Sequence, residues 1–476
     1  MISRIARKEL TEMLRDGRFR VLSLAVLGVS LLSLAVGWRQ YVDVARQHRE
    51  AQAATREQWL KQPPKNPHSA AHYGVYAFKP KSPLAIVDTG VDPYVGVAVW
   101  LEAHKQNEFK YRPAADRTAV ERFGEMTAAE TLQVIVPLFV VLMAFSAFSA
   151  EREQGTLRQL LSLGVKARDL AIGKAAGVAS ALALTLVPAA ACGVAALALT
   201  ADGGYLTSHP SRAALLLFFY LAYFAIMIAI ALGVSARARS SRLALVILLT
   251  FWFANSLVAS RVVADFASWL HPTPSSVEFQ KAMDADLNKP GEMEQRLARR
   301  TQDLMRQYKV DTPDALPVAM QGVSLQEGEN HGDEVFDAHY GRLFDQFERQ
   351  NTIVQLGGVV APMLAIRSLS MALAGTDFNQ HRHFITAAEN YRRLIQRTLN
   401  DDIMAHPVRT GGVADAERRG PYVAGPELWA RVPPFEYEAP STRWVIDHTR
   451  WSIGILALWL AAAIAWLLRP LSAATD

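Results

Sequence analysis

Six stretches of this chain contain no Asp, Glu, Lys or Arg: Val21–Trp38, Thr131–Ala150, Ala175–Ala201, Ala213–Ala236, Leu243–Ser260 and Trp451–Leu468. About 20 apolar residues, rising 1.5 Å each, cross a hydrocarbon core of roughly 30 Å, so every one of these blocks meets or approaches the length of a membrane span. One charge at a helix centre costs about 2.5–3.5 kcal/mol on insertion, and six clean windows in succession are not what soluble core helices produce. Hydrophobic residues make up 51% of the chain, yet its mean hydropathy is only +0.09, so the apolar residues are gathered into blocks and the remainder is ordinary soluble sequence. The expected fold is an all-α integral membrane protein with six transmembrane helices and a mainly helical extracytoplasmic domain.

The first block follows a basic segment, as the core of a signal peptide does. Its uncharged run is longer than such cores, and Glu9, Glu12 and Asp16 precede it, so it reads as a retained span. Orientation comes from the short loops. Arg237, Arg239 and Arg242 lie between the fourth and fifth spans with no acid, whereas Asp202–Arg212 between the third and fourth is polar, with one cation at its end. The Arg-rich side is expected to be cytoplasmic, with both termini. The predicted order is a cytoplasmic interfacial helix over 1–20, spans over 21–38, 131–150, 175–201, 213–236, 243–260 and 451–468, extracytoplasmic regions over 39–130 and 261–450, a cytoplasmic loop over 151–174 and a tail over 469–476.

Within 1–20, Ile2, Ile5, Ala6, Leu10, Met13 and Leu14 share one helical face and Arg4, Arg7, Lys8, Glu12 and Arg15 largely the other, the pattern of a helix lying along the inner surface and turning near Gly17. Pro63, Pro64, Pro67, Pro80 and Pro83 make the middle of 39–130 loop-like, with helical character expected again at Ala114–Glu130. In the second region, Phe336, Tyr340, Leu343, Phe344 and Phe347 recur at helical spacing, as do Phe384, Ala388, Tyr391, Ile395 and Leu399, and both stripes read as core. Ile353–Ile366 is apolar but short, holds Gly357, Gly358 and Pro362, and is expected to be a buried or interfacial helix resting on the outer membrane face. The single cysteine, Cys192, lies in the third span and leaves no intrachain disulfide to either region. The net charge of +5 is explained by cations at membrane borders and does not indicate nucleic acid.

The most informative segment runs Glu151-Arg152-Glu153-Gln154-Gly155-Thr156-Leu157 and continues through Leu160, Leu161, Leu163 and Gly164 to Gly173-Lys174. Gly155 permits a sharp turn as the second span leaves the bilayer, Thr156 is placed to cap a short helix and Gly164 to end it. Leucines exposed on such a helix need a partner's groove. This segment resembles the cytoplasmic loop of ABC-2 type permeases, and the resemblance implies ATPase coupling for Glu151, Arg152, Glu153, Gly155, Thr156, Leu157, Leu160, Leu161 and Gly164. Ser368–Asp377, His381-Arg382-His383-Phe384 and Ala388–Arg392 are similar to the ABC-2 permease subfamily with a large periplasmic insertion of unknown function. Together these imply a permease subunit of a bacterial inner-membrane exporter, partnered by a cytoplasmic ABC ATPase, by a second permease copy or paralogue, and by lipid.

The chain has no Gly-x-x-x-x-Gly-Lys-Ser/Thr loop, because Gly173-Lys174 is followed by Ala175, so ATP hydrolysis is expected on another chain. No His-Glu-x-x-His, paired-Cys or Gly-x-Ser-x-Gly pattern occurs, and no catalytic residue, metal or cofactor is expected. His381 and His383 beside Asp377 read as polar residues at a helix start. Pro137 and Pro188 can kink their helices, and Asn255 and Ser256 are candidate pathway-lining residues, packing between helices being the stronger reading. The rival to transport is a membrane sensor or scaffold with a ligand-binding extracytoplasmic domain.

Overall fold

The computed structural model describes residues 1–107, 126–200, 210–407 and 422–469. Among them, six helices are long and apolar enough to cross a membrane: Gly17–Leu60, Ala128–Glu153, Ala167–Ala198, Pro210–Arg237, Ser241–Leu270 and Arg450–Leu468. These are called the first to sixth spans. A shorter helix, Ile2–Arg15, precedes them and ends at Asp16, whose extended backbone breaks the helix and whose carboxylate accepts from the Arg18 N–H at 2.9 Å to cap the first span.

The first span has 44 residues, about 66 Å at 1.5 Å per residue and twice a bilayer core. Its second half is polar from Arg39 onward and projects beyond the bundle. There Trp59 packs edge-on against Trp429 at 6.1 Å, and its indole N–H donates to the Trp429 carbonyl at 2.9 Å. The two insertions are thus joined in one domain, around a core that includes Phe384, Ala388, Ile395 and Leu399. Phe336 is buried in a second cluster with Met283, whereas Phe344 and Phe347 are half-buried and pack on Phe378 at 6.0 and 5.3 Å, so the first stripe is core at Phe336 and half-buried beyond it.

The proline-rich middle of the first insertion is more ordered than a loop. It holds a three-stranded antiparallel sheet of β1 (Val75–Phe78), β2 (Ala98–Glu102) and β3 (Lys105–Gln106), with Val75 opposite Leu101 and Glu102 opposite Lys105. The prolines flank the strands, where no ladder N–H is lost. Of the helix expected over Ala114–Glu130, residues 114–125 lie outside the described residues, and Ala128–Glu130 is helical behind a Thr127/Glu130 capping box.

The fourth span is the bundle's centre: 67% of its apolar window is buried, against 22% for the first and fifth. The second span begins with a π turn at Thr131–Ile135 ahead of Pro137. Pro137 has no N–H to offer the Gln133 carbonyl, and the Tyr223 hydroxyl of the fourth span donates to that carbonyl instead at 3.2 Å.

The apolar stretch Ile353–Ile366, expected to be a buried or interfacial helix, divides between the end of the helix Met320–Leu356 and a buried helix, Pro362–Ala374. All its residues but Arg367 and Met371 are buried, and it packs between the fourth and sixth spans. Thirteen residues are too few to cross, so its polar groups must find partners within the bundle. The Met363 N–H donates to Asn255 Oδ1 at 3.1 Å, and Ser370 donates to the buried Asp88 carboxylate at 2.5 Å and stands 2.9 Å from the Tyr220 hydroxyl.

Candidate coupling site around residues 151–174

Gly155 leaves the second span with a φ of +74°, and the helix Thr156–Ser162 starts from it. Thr156 does not cap this helix: Gly155 occupies that position, and the Thr156 hydroxyl donates back to the Glu151 carbonyl at 3.1 Å. Gly164, with a φ of +83°, ends the segment as expected. Both glycines adopt a left-handed conformation that a side chain would strain.

The leucines are not the exposed row that their sequence predicts. Leu157 is buried at 6% exposure, and Leu160 and Leu161 are half-buried against the chain's own bundle core. Only Leu163, at 81%, stands in the open. The outward face is therefore Arg158, Gln159, Ser162 and Leu163, all exposed.

Each member of the charged triplet before the turn holds a different helix, Glu151 and Arg152 from half-buried positions and Glu153 from an exposed one. Glu151 accepts from Lys174 of the third span at 2.9 Å, and Lys174 also donates to Glu9 of the N-terminal helix at 2.6 Å. Arg152 donates to the Ala236 and Ala238 carbonyls at 2.6 and 2.7 Å, filling acceptors that the end of the fourth span leaves without intrahelical partners. Glu153 accepts from the Ser241 N–H at 3.0 Å and its hydroxyl at 2.8 Å, so a carboxylate sits at the positive N-terminus of the fifth span. The end of the second span is thereby tied to the third, fourth and fifth spans together.

The N-terminal helix reaches this junction because Gly173 and Gly177 leave room for it. A Cβ on Gly173 would meet Ile5 at 2.6 Å and one on Gly177 would meet the Glu9 side chain at 2.6 Å. This is the small-residue spacing that lets two helices approach closely. Lys174, 1% exposed, also stands 5.3 Å from the centre of the Phe148 ring. Sequence reasoning missed Glu9 and Lys174 as a pair. The signals were an acid on the apolar side of an amphipathic helix and a lone lysine opening an apolar span, each of which requires an opposite charge.

Asn255 and Ser256 are buried within the π turn Ala254–Val258 of the fifth span. Asn255 Nδ2 donates to the Tyr223 hydroxyl at 3.3 Å and to Ser256 Oγ at 3.2 Å, while Oδ1 is taken by Met363. Asn255 thus joins the fifth span to the fourth and to the helix Pro362–Ala374. Asp377 caps the helix Phe378–Ala405, His381 is buried behind it with burial pulling its imidazole down to about 3, and His383 bonds the Tyr437 hydroxyl at 3.0 Å.

Residues 3–309 match the family model of the ABC-2 family transporter protein, and residues 277–438 match a domain of unknown function, DUF3526. Among curated proteins, none matches the chain.

Proposed function

Because the chain belongs to the ABC-2 transporter family, we propose that it is the permease subunit of an exporter whose ATP is hydrolysed by a separate cytoplasmic ATPase. The observation that carries this reading is the match over 3–309, which takes in the first five spans and the 151–174 loop. In this reading the protein sits in a bacterial inner membrane with both termini cytoplasmic, and 39–130 and 261–450 form an extracytoplasmic domain. Two permeases, identical or paralogous, enclose the pathway, and the external domain receives, gates or hands over cargo.

The ATPase docks on Arg158, Gln159, Ser162 and Leu163. Its closure on ATP pulls the short helix, and the Glu151, Arg152 and Glu153 contacts carry that displacement to the spans behind them. Leu157, Leu160 and Leu161 act from inside, fixing the short helix to the bundle so that it moves as a lever. Gly155 and Gly164 set its angle.

Leu163→Asp tests the docking surface. An apolar side chain that fills a partner's pocket contributes about 2 kcal/mol at a hot spot, close to a thirtyfold change in affinity. The variant should lose ATPase co-purification by about that factor while melting as the wild type does, since the residue touches little of its own chain. Leu160→Asp, by contrast, should destabilise the permease itself. Unchanged ATPase association in Leu163→Asp and in a second variant, Arg158→Glu, would refute the assignment.

A further inference from the structure

We propose that His68, His72 and His104 form a binding site for a divalent first-row transition-metal ion of the zinc type, with Glu329 orienting one of the three ligands. The convergence of three imidazoles from two separate elements on one point carries the inference. His68 and His72 lie four residues apart on the helix Pro67–Tyr73, which puts both rings on one side. Asn66 caps that helix, accepting from the His68 N–H at 2.9 Å. His104 is supplied by the turn between β2 and β3, where it adopts a φ of +62°, unusual for a residue with a side chain.

His68 Nε2 stands 3.1 Å from His72 Nε2 and 3.3 Å from His104 Nε2, and a ligating atom from each residue can be chosen within 4.8 Å of the others. Zinc–nitrogen bonds of about 2.0–2.1 Å at tetrahedral corners place neighbouring nitrogens roughly 3.3–3.4 Å apart. The three side chains therefore need only small adjustments to share one ion. His72 and His104 are exposed, so solvent reaches the fourth position. Nitrogen ligands without thiolates also suit a protein whose single cysteine lies elsewhere.

The support behind His104 matches what metal-bound histidines use. Its Nδ1 lies 2.7 Å from the Glu329 carboxylate, which fixes the tautomer and leaves Nε2 free to bind metal, and its backbone N–H donates to the same carboxylate at 3.1 Å. Glu329 is itself held by Arg392 Nη1 at 3.0 Å, and Arg392 is further bound by Glu389 and Asp333. An ion here would link the first insertion to the helix Met320–Leu356 of the second.

The test uses the full-length protein in lipid nanodiscs, carried on a streptavidin-binding tag in place of polyhistidine and stripped with a chelator. Titration with Zn²⁺ against a chromophoric chelator should give one tight site per chain, and Co²⁺ should give the intense visible absorption of a four-coordinate ion. His68→Ala/His72→Ala should abolish the stoichiometric site, and Glu329→Gln should weaken it by about 10- to 100-fold. Gel filtration and circular dichroism check that each variant folds, and His72→Gln serves if the double variant does not. No stoichiometric Zn²⁺ on the wild type, or equal affinity in a folded His variant, overturns the site.

Discussion

Replacing Lys174 by methionine leaves two carboxylates, Glu9 at 7% and Glu151 at 14% side-chain exposure, without the buried ammonium that lies 2.6 and 2.9 Å from them. Lys8 remains, 3.6 Å from Glu9 and 3.5 Å from Glu151, but it is half-exposed and already 3.3 Å from Glu12. Removing one partner of a buried ion pair costs about 3–5 kcal/mol, and the residual attraction of Lys8 places this case near the lower end, about 3 kcal/mol. The cost is the desolvation of stranded charge, so it should be relieved when the charge goes too. Lys174→Met combined with Glu9→Gln and Glu151→Gln should recover most of the loss, whereas either glutamine alone should recover part. Thermal unfolding in one detergent, followed by tryptophan fluorescence, reads the cycle, and ATPase co-purification reads its effect on the short helix. If Lys174→Met melts with the wild type, or the triple variant is no better than the single, the three groups do not form a coupled buried cluster.

The buried carboxyl of Asp88, which takes the Ser370 hydroxyl at 2.5 Å and the Gly90 N–H at 3.0 Å, is pushed above the usual carboxylate range by burial. Its folded form holds a proton more tightly than the unfolded chain does, so its contribution is present below the unfolded value and lost as pH rises through the folded one. Asp88→Asn should flatten that part of the stability–pH curve, measured by unfolding at stepped pH, and an unchanged slope would contradict it. Lys65→Cys and Gln321→Cys, made after Cys192→Ala, should both react with an impermeant thiol reagent on intact cells. Protection of both in folded variants would invert the proposed topology.

The six spans were legible because absence of charge over about 20 residues is a local property with few causes. The Gly155 turn and the Gly164 stop were legible for the same reason. The fate of Leu157, Leu160 and Leu161 was not: two helical turns do not reveal which face meets the bundle, and a partner's groove and the chain's own core ask for the same residues. That Pro362–Ala374 packs between two spans was not legible, because its partners, Asp88, Asn255 and Tyr220, come from three distant segments. His68 and His72 carried a readable four-residue spacing, but His104 and Glu329 join them only through the fold.

The most direct measurement is ATP turnover in proteoliposomes containing this chain alone, its cognate ATPase alone, and the two together. A permease driven by a separate motor predicts no hydrolysis by this chain, and hydrolysis by the pair that exceeds the ATPase alone and falls to that basal level with Leu163→Asp. Turnover by the rigorously purified chain, or a pair no more active than the ATPase alone across lipid compositions, would contradict it.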